Sequence, residues 1–335
     1  MVHVEFLVQY GRVGRSIRSG IRMRLSALPD GVDYSVRGEP LMPARFNEYG
    51  ISMSSMAKGL LRILFDNLMQ LKADVFHAFF WWYRRMGDNW ILENDQSLSQ
   101  FLHMSGGLGR APRFLSSFTY GRATVITWTN WAKSGFIRDG FPEESIHVID
   151  LPVWPQWIKL ERKIDNSIIF VGIDFHLKGG DIALGVFKYL KERWGSSVRT
   201  IYIGSVPDEY RKQLKYVDEY LPPSPSSTVL DRIGKSKVLL LPSRWEAYGI
   251  TAIEAMMRGT AVVSSNAGGL GEVVEGAGTA CGDVACMAET AEDLLTSPST
   301  WKSQVNRQLE SLVNKHSPND VMDSLSKVYE LFMRR

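Results

Sequence analysis

A chain of 335 residues is long for one hydrophobic core, so two domains of about 150 residues each are the leading expectation. Hydrophobic residues make up 44% and charged residues 22%, which excludes a disordered or fibrous protein. The formal net charge of +3 is too mild to demand a nucleic-acid partner, and none is expected.

The opening run, MVHVEFLVQYG, reads as a first strand; with no basic segment ahead of its apolar stretch it lacks the form of a signal peptide. YGRVGRSIRSG follows, a glycine turn leading into a helix-like segment that holds Arg12, Arg15, Arg18, Arg22 and Arg24. Arg15, Arg18 and Arg22 share one helical face. That face suits a phosphorylated acceptor, an anionic membrane surface or nucleic acid, and a solvated basic face is the plainer explanation. Further strands are expected at DVFHAFF, NWILE, ATVITW and SIHVIDL. The cluster FFWWYRR, residues 79–85, suits stacking on a sugar, a membrane interface or packing between domains. Asp66, Asn67, Lys72 and Asp74 interrupt the richest apolar region, so nothing reaches the roughly 18 residues that span a bilayer. A cytoplasmic protein, peripheral at the membrane at most, is the expectation.

LPVWPQWIKLERKID, residues 151–165, has two prolines and no clear period, and is the linker candidate. Beyond it NSIIFVG, VRTIYIG, KVLLLPS and TAVVSS read as buried strands, each leading into a loop and a helical pattern. Strand–helix alternation in both halves predicts parallel sheets, with ligands beyond the carboxyl ends of the strands. Cys281 and Cys286 are too few for a disulfide framework and lack C-x-x-C spacing, which fits a reducing cytosol. The last segment places Val321, Leu325, Val328 and Phe332 at helical spacing and predicts a terminal amphipathic helix.

The richest stretch is LLLPSRWEAYGITAIEAMMRG, residues 239–259. If its apolar run is a buried strand, Glu246 lies in the loop leaving the strand and Gly249 opens a helix. The backbone amides around Tyr248, Gly249 and Ile250 are then placed to receive an anionic group such as a diphosphate. Glu254, one or two turns into that helix, suits the vicinal hydroxyls of a ribose. The plain alternative pairs Glu254 with Arg258 on the helix surface.

These residues resemble family 4 glycosyltransferases, retaining enzymes of the GT-B fold with an E-x7-E motif. Three blocks carry the resemblance: IIFVGIDFHLKGGDIAL, VLLLPSRWEAYGITAIEAMMRGTAVVSS and NAGGLGEVVEG, spanning Ile168 to Leu295 with their neighbours. In the first half, TWTNWAKSGFIRDGFPEESIHVIDLPV is similar to the family's last acceptor-domain unit. The resemblance implies an α/β fold of two Rossmann-like, doubly wound parallel-sheet domains facing a cleft. Residues 1–155 would be the acceptor domain, 156–317 the donor domain, and 318–335 a helix returning to the first domain. It further implies retaining, metal-independent transfer of a sugar from a UDP- or GDP-type donor to an acceptor hydroxyl on a glycan, lipid or small molecule, with no cofactor.

Carried over by motif position, Glu246 contacts the transferred sugar and Glu254 the donor ribose. Lys178 neutralises the diphosphate, and Gly172 with the backbone of Tyr248, Gly249, Ile250 and Thr251 cradles the donor. A plain surface turn in which Asp181 caps a helix is the alternative for Lys178. Many members carry an arginine where this chain has Ile173, and His176 is a candidate substitute. On the acceptor side, Gly11 and Gly14 loosely fit a glycine loop, with Arg15 beside it. Glu93 and Asp95 stand where relatives place a histidine near the sugar, as proton acceptor or hydroxyl ligand, with His77 as a further candidate. Surface-turn carboxylates and a strand-end histidine held by its neighbours explain these three equally. Two other readings stay open: a nucleotide-sugar epimerase or hydrolase on the same fold, and a binding protein with a vestigial donor site.

Overall fold

Runs of apolar residues become strands wherever both faces can be covered. Val75–Phe79 is buried at every position and so is Trp90–Glu93, the continuous burial of strands inside a parallel sheet. The computed structural model describes residues 2–10, 19–40, 46–47, 50–51, 73–79, 89–104 and 123–333. The chain forms two compact units, Met1–Pro152 together with Pro318–Arg335, and Val153–Ser317.

In the first unit the strands are β1 (Val2–Tyr10), β2 (Val32–Pro40), the small antiparallel pair β3 (Phe46–Asn47) and β4 (Gly50–Ile51), β5 (Val75–Phe79), β6 (Trp90–Glu93), β7 (Thr124–Thr127) and β8 (Ile146–Val148). The order β2-β1-β5-β6-β7-β8 is parallel throughout. Helices α1 (Ser19–Leu25), α2 (Leu98–Met104) and α3 (Asn130–Arg138) lie between them, α3 being capped where the Thr129 side chain accepts from Ala132 N. Strand β2 goes beyond the sequence expectation. It is an edge strand whose Asp33 and Val36 are exposed, so no apolar run announces it.

The second unit contains β9 (Ser167–Gly172), α4 (Gly180–Trp194), β10 (Arg199–Gly204), β11 (Glu219–Leu221), α5 (Ser226–Lys235), β12 (Val238–Leu241), α6 (Ile250–Met256), β13 (Ala261–Ser265), α7 (Leu270–Val274), β14 (Thr279–Cys281), α8 (Val284–Thr296) and α9 (Pro298–Lys315). Its order, β11-β10-β9-β12-β13-β14, is the doubly wound arrangement, with the chain reversing direction across the sheet between β9 and β12. Phe170, Leu184, Phe187, Leu240 and Val263 belong to the core between sheet and helices. Gln308 on α9 accepts from Val262 N and donates to Thr260 O, satisfying buried backbone that β14 is too short to pair.

The segment expected as a linker is tied down from its third residue onward. Lys159 N donates to Met257 O and Ile164 N to Lys235 O, while Lys163 Nζ donates to Gly234 O, Arg258 O and Thr260 Oγ1. Burial pushes the Lys163 amine down to about 8, against the pull of Glu161. The cysteines also depart from expectation: Cys281 and Cys286 are joined in a disulfide, with Cα atoms 5.6 Å apart. The Asp283 side chain caps α8 by accepting from Cys286 N, and that turn brings Cys286 back over the end of β14, which residue spacing alone did not reveal.

The chain closes in helix α10 (Pro318–Met333), within the first unit. Val321, Leu325, Val328 and Tyr329 form its buried stripe; Tyr329 takes the place expected for Phe332, which is only half-buried. Among the described residues no helix is long and apolar enough to cross a membrane.

Candidate active site

Two loops meet at the carboxyl ends of β9 and β12, where the strand order of the second unit reverses. The first leaves Gly172 through Ile173, which is 70% exposed, into a turn closed by Asp174: its side chain accepts from Leu177 N and its carbonyl from Lys178 N. Gly179 then adopts φ 72° ahead of α4. A Cβ there would collide with the carbonyl oxygen of Pro242 at the end of β12, so the second loop can pack this closely only against glycine. Gly179→Ala is accordingly expected to cost at least the roughly 1–3 kcal/mol of a left-handed non-glycine residue, measured by chemical denaturation. A loss below that range would show that the loops separate easily.

The second loop is locked onto the first. Arg244 N donates to Leu177 O at 2.8 Å, and its guanidinium grips both Asp181 oxygens at 2.7 Å while also donating to His176 O. The bond from Arg244 holds the Asp181 carboxyl below its ordinary value. This clamp fixes the loop that presents Glu246. Lys178 Nζ donates to Glu246 Oε2 at 2.6 Å, with side chains 31% and 21% exposed. Glu246 O in turn accepts from Gly269 N, tying in the glycine-rich loop after β13.

Gly249 follows at φ 102° and starts α6. A Cβ at that position would press on Leu270. Ile250, Thr251 and Glu254 are half-buried on that short helix, and Tyr248 is buried, with its hydroxyl 3.5 Å from His316 Nδ1. Arg258 donates to the Glu254 carbonyl and lies 3.8 Å from Glu161. Gly172, Lys178, Glu246, Gly249, Ile250, Thr251 and Glu254 therefore share the carboxyl edge of one sheet. Reading the sequence alone missed the Arg244–Asp181 clamp, although an arginine two residues before Glu246 and an aspartate in the first turn after KGG were the signal. It also missed Ser243, whose buried hydroxyl at this strand end has no hydrogen-bond partner among the described residues. The ring of His176 lies against Phe175 and Tyr210, with centroids 5.1 and 5.9 Å away.

The first unit corrects two expectations. Glu93 has no exposed surface. Its Oε1 accepts from Arg24 Nε at 2.8 Å and Trp128 Nε1 at 2.6 Å, and its Oε2 from His77 Nε2 at 2.9 Å. A carboxylate so enclosed and so fully bonded is a structural anchor and does not take a proton from an acceptor. Burial alone would raise its pKa, and Arg24, His77 and Trp128 outweigh that and lower it. His77 is equally buried; its Nδ1 is 2.9 Å from the Tyr329 hydroxyl, and burial lowers its pKa. A neutral ring that donates from Nε2 to Glu93 and accepts at Nδ1 from Tyr329 satisfies both bonds. Arg24 completes the anchor by donating to Asp150 O and Ile149 O, so it is a buried cation and no part of a basic face, whereas Arg22 is exposed. Asp95 is half-buried in the turn after β6. Phe79 lies in the core; the rest of the aromatic cluster, with Gly11, Gly14 and Arg15, falls outside the described residues.

Residues 156–308 match the family model of glycosyl transferases group 1. The second unit carries the likeness to glycosyl transferases group 1. A glycogen synthase of Mycobacterium tuberculosis is 26% identical over 191 residues, covering 54% of this chain and 46% of that protein. The chain thus spans about half the length of the curated relatives it matches. Across nearly the whole chain the fold is GT-B. Anabaena HepE in complex with UDP and glucose superposes with TM-score 0.66 at 13% identity, covering 98% of this chain and 100% of that one. The sucrose-phosphate synthase of Thermosynechococcus elongatus gives TM-score 0.71 at 11% identity, covering 100% of both. In the second unit, the ion pair between Lys178 and Glu246 occupies the switch point of the sheet.

Proposed function

We propose that the protein moves a sugar from a UDP- or GDP-type nucleotide-diphosphate donor to an acceptor hydroxyl, with retention at the anomeric carbon and without a metal. The observation that carries this reading is the pairing of one cation and one carboxylate, Lys178 and Glu246, at the switch point and beside the glycine-led start of α6. A donor diphosphate needs a cation where charge develops on its leaving oxygen, and Lys178 supplies one. The electron-poor anomeric carbon needs a carboxylate nearby, and Glu246 supplies that. In this scheme the bond from the anomeric carbon to the phosphate oxygen breaks as the acceptor oxygen attacks on the same face. The acceptor's proton passes to the leaving phosphate. Glu246 orients the sugar and stabilises its positive charge. Glu254 on α6 takes the ribose hydroxyls.

Thermal melts with UDP, GDP and ADP and their common sugar conjugates, with and without magnesium, test the reading. At a ligand concentration about 100 times the Kd, a nucleotide that binds the folded state adds about 2.7 kcal/mol of stability. One nucleotide is expected to stabilise the wild type irrespective of magnesium, with the effect lost in Glu254→Ala. No stabilisation by any nucleotide would overturn the donor site.

A further inference from the structure

The disulfide between Cys281 and Cys286 has surroundings that suit it to opening and closing in the folded chain. The segment between the two sulfurs is at the surface: Gly282, Asp283, Val284 and Ala285 are all exposed, and a Cβ on Gly282 would meet nothing within 4 Å. The sulfurs are unequally accessible. Cys286 is half-buried, whereas Cys281 is 2% exposed and packs into the core of the second unit. An incoming thiolate therefore meets the Cys286 sulfur first, and Cys281 becomes the leaving group. A sulfur in a disulfide carries no hydrogen, so in the 3.7 Å contact between Cys281 Sγ and Thr290 Oγ1 the threonine hydroxyl is the donor. That hydroxyl, one turn after Cys286 on α8, is in place to stabilise the charge that forms on Cys281. Cys286 is the third residue of α8, where a helix N-terminus favours a thiolate; the Asp283 carboxylate, accepting from Cys286 N, opposes this.

The elements on either side hold their places by other means. Helix α8 keeps its cap from Asp283 and buries Met287, Ala288, Ala291, Leu294 and Leu295, and β14 keeps its pairing with β13 from Thr279 to Cys281. Only five positions separate the two cysteines, so the bond closes a short loop and restrains the unfolded chain less than a long-range one. We propose that Cys281 and Cys286 form a reversible thiol–disulfide site that exchanges with thiols of the glutathione class. In the opening direction a thiolate bonds to the Cys286 sulfur, the bond between the two sulfurs breaks and its electron pair leaves on Cys281. A second thiolate attacks the mixed disulfide and releases Cys286. The chain then holds two thiols, having gained two electrons and two protons, and the reductant has become its own disulfide. Closure runs the other way with glutathione disulfide as oxidant: Cys286 attacks it, and Cys281 displaces the bound glutathione.

Differential alkylation of the full chain, read by mass spectrometry in glutathione buffers set from reducing to oxidising, tests the assignment. In the reducing buffer both cysteines are expected to be labelled without denaturant. Returning the sample to the oxidising buffer should restore the bond, with far-UV circular dichroism unchanged throughout. Single variants separate the two sulfurs: glutathione disulfide should form its adduct at Cys286 in Cys281→Ser at least about tenfold faster than at Cys281 in Cys286→Ser. Amide hydrogen exchange should quicken by about tenfold or more over residues 282–287 when the bond opens, and stay the same in β9 and β12. The double variant, Cys281→Ser with Cys286→Ser, should match the exchange pattern of the reduced wild type and ignore the glutathione poise. A bond that resists glutathione until denaturant is added overturns the proposal, because it marks a structural cross-link. Loss of circular dichroism on reduction, failure of the bond to re-form, or adducts forming equally fast at both cysteines overturns it as well.

Discussion

Replacing Glu246 with glutamine is expected to lower turnover of the nucleotide-diphosphate sugar by about 10²–10³-fold, the size seen when one group that stabilises transition-state charge is removed. The substitution preserves shape, and Glu246 is partly exposed on a loop clamped independently by Arg244 and Asp181, so the melting temperature should stay within about 2 °C, the range of a surface change. Binding and turnover should separate. Lys178 donates to Glu246 at 2.6 Å, and a diphosphate must compete for that ammonium. The glutamine variant releases it, so UDP or GDP measured by titration calorimetry should bind as tightly as to wild type or more tightly. Lys178→Ala should weaken binding and turnover together. Near-normal turnover in Glu246→Gln would defeat the assignment of this carboxylate.

The second large effect lies in the first unit. Arg24→Met removes the cation of a buried ion pair and leaves the Glu93 carboxylate without its charge partner, together with two carbonyls, Ile149 O and Asp150 O, without their donor. Breaking a buried pair in this way costs about 3–5 kcal/mol. Urea denaturation should show the loss, and a change below about 1 kcal/mol, the worth of an exposed pair, would mean the network is no anchor. The same network sets an acid limit. His77 is held below its ordinary value of 6.5, so on acidification the unfolded chain takes up this proton first and stability falls as pH drops below that value. Glu93 is held below 4.5, so the stability it contributes is present above that pH and is lost as pH falls further. The melting temperature should therefore decline in two stages, one starting as pH falls below about 6.5 and one starting below about 4.5. His77→Gln should flatten the upper stage, and an unchanged profile would exclude the histidine as its source.

Reading the strands was easiest where the chain is buried on both sides. IIFVG, TIYIG and VLLL are continuous apolar runs because helices cover both faces of the second sheet, and the strand–helix rhythm pointed to that sheet from residues alone. Three edge strands escaped, although β8, at the far edge of the first sheet, was legible in SIHVIDL. β2, β11 and β14 face solvent along one side, and the last two are three residues each, so neither period nor composition separates them from loops.

Site residues divide along the same physical line. Lys178, Glu246, Gly249 and Glu254 were legible because their chemistry is local: a strand end, a glycine and a helix start within a few positions fix where each stands. The role of Glu93 was not, since it depends on Arg24, His77 and Trp128, which reach it from three other elements. Only folding shows whether a strand-end carboxylate is open to a substrate or enclosed by three donors. For Cys281 and Cys286 the turn capped by Asp283 decided. The amino-acid order by itself determined the two parallel sheets and which residues stand at the carboxyl edge of the second, because burial and helix starts are encoded within short windows. The tertiary structure alone decided which polar groups are satisfied and which are left wanting a partner, because hydrogen bonding in a core joins residues that sequence distance does not relate.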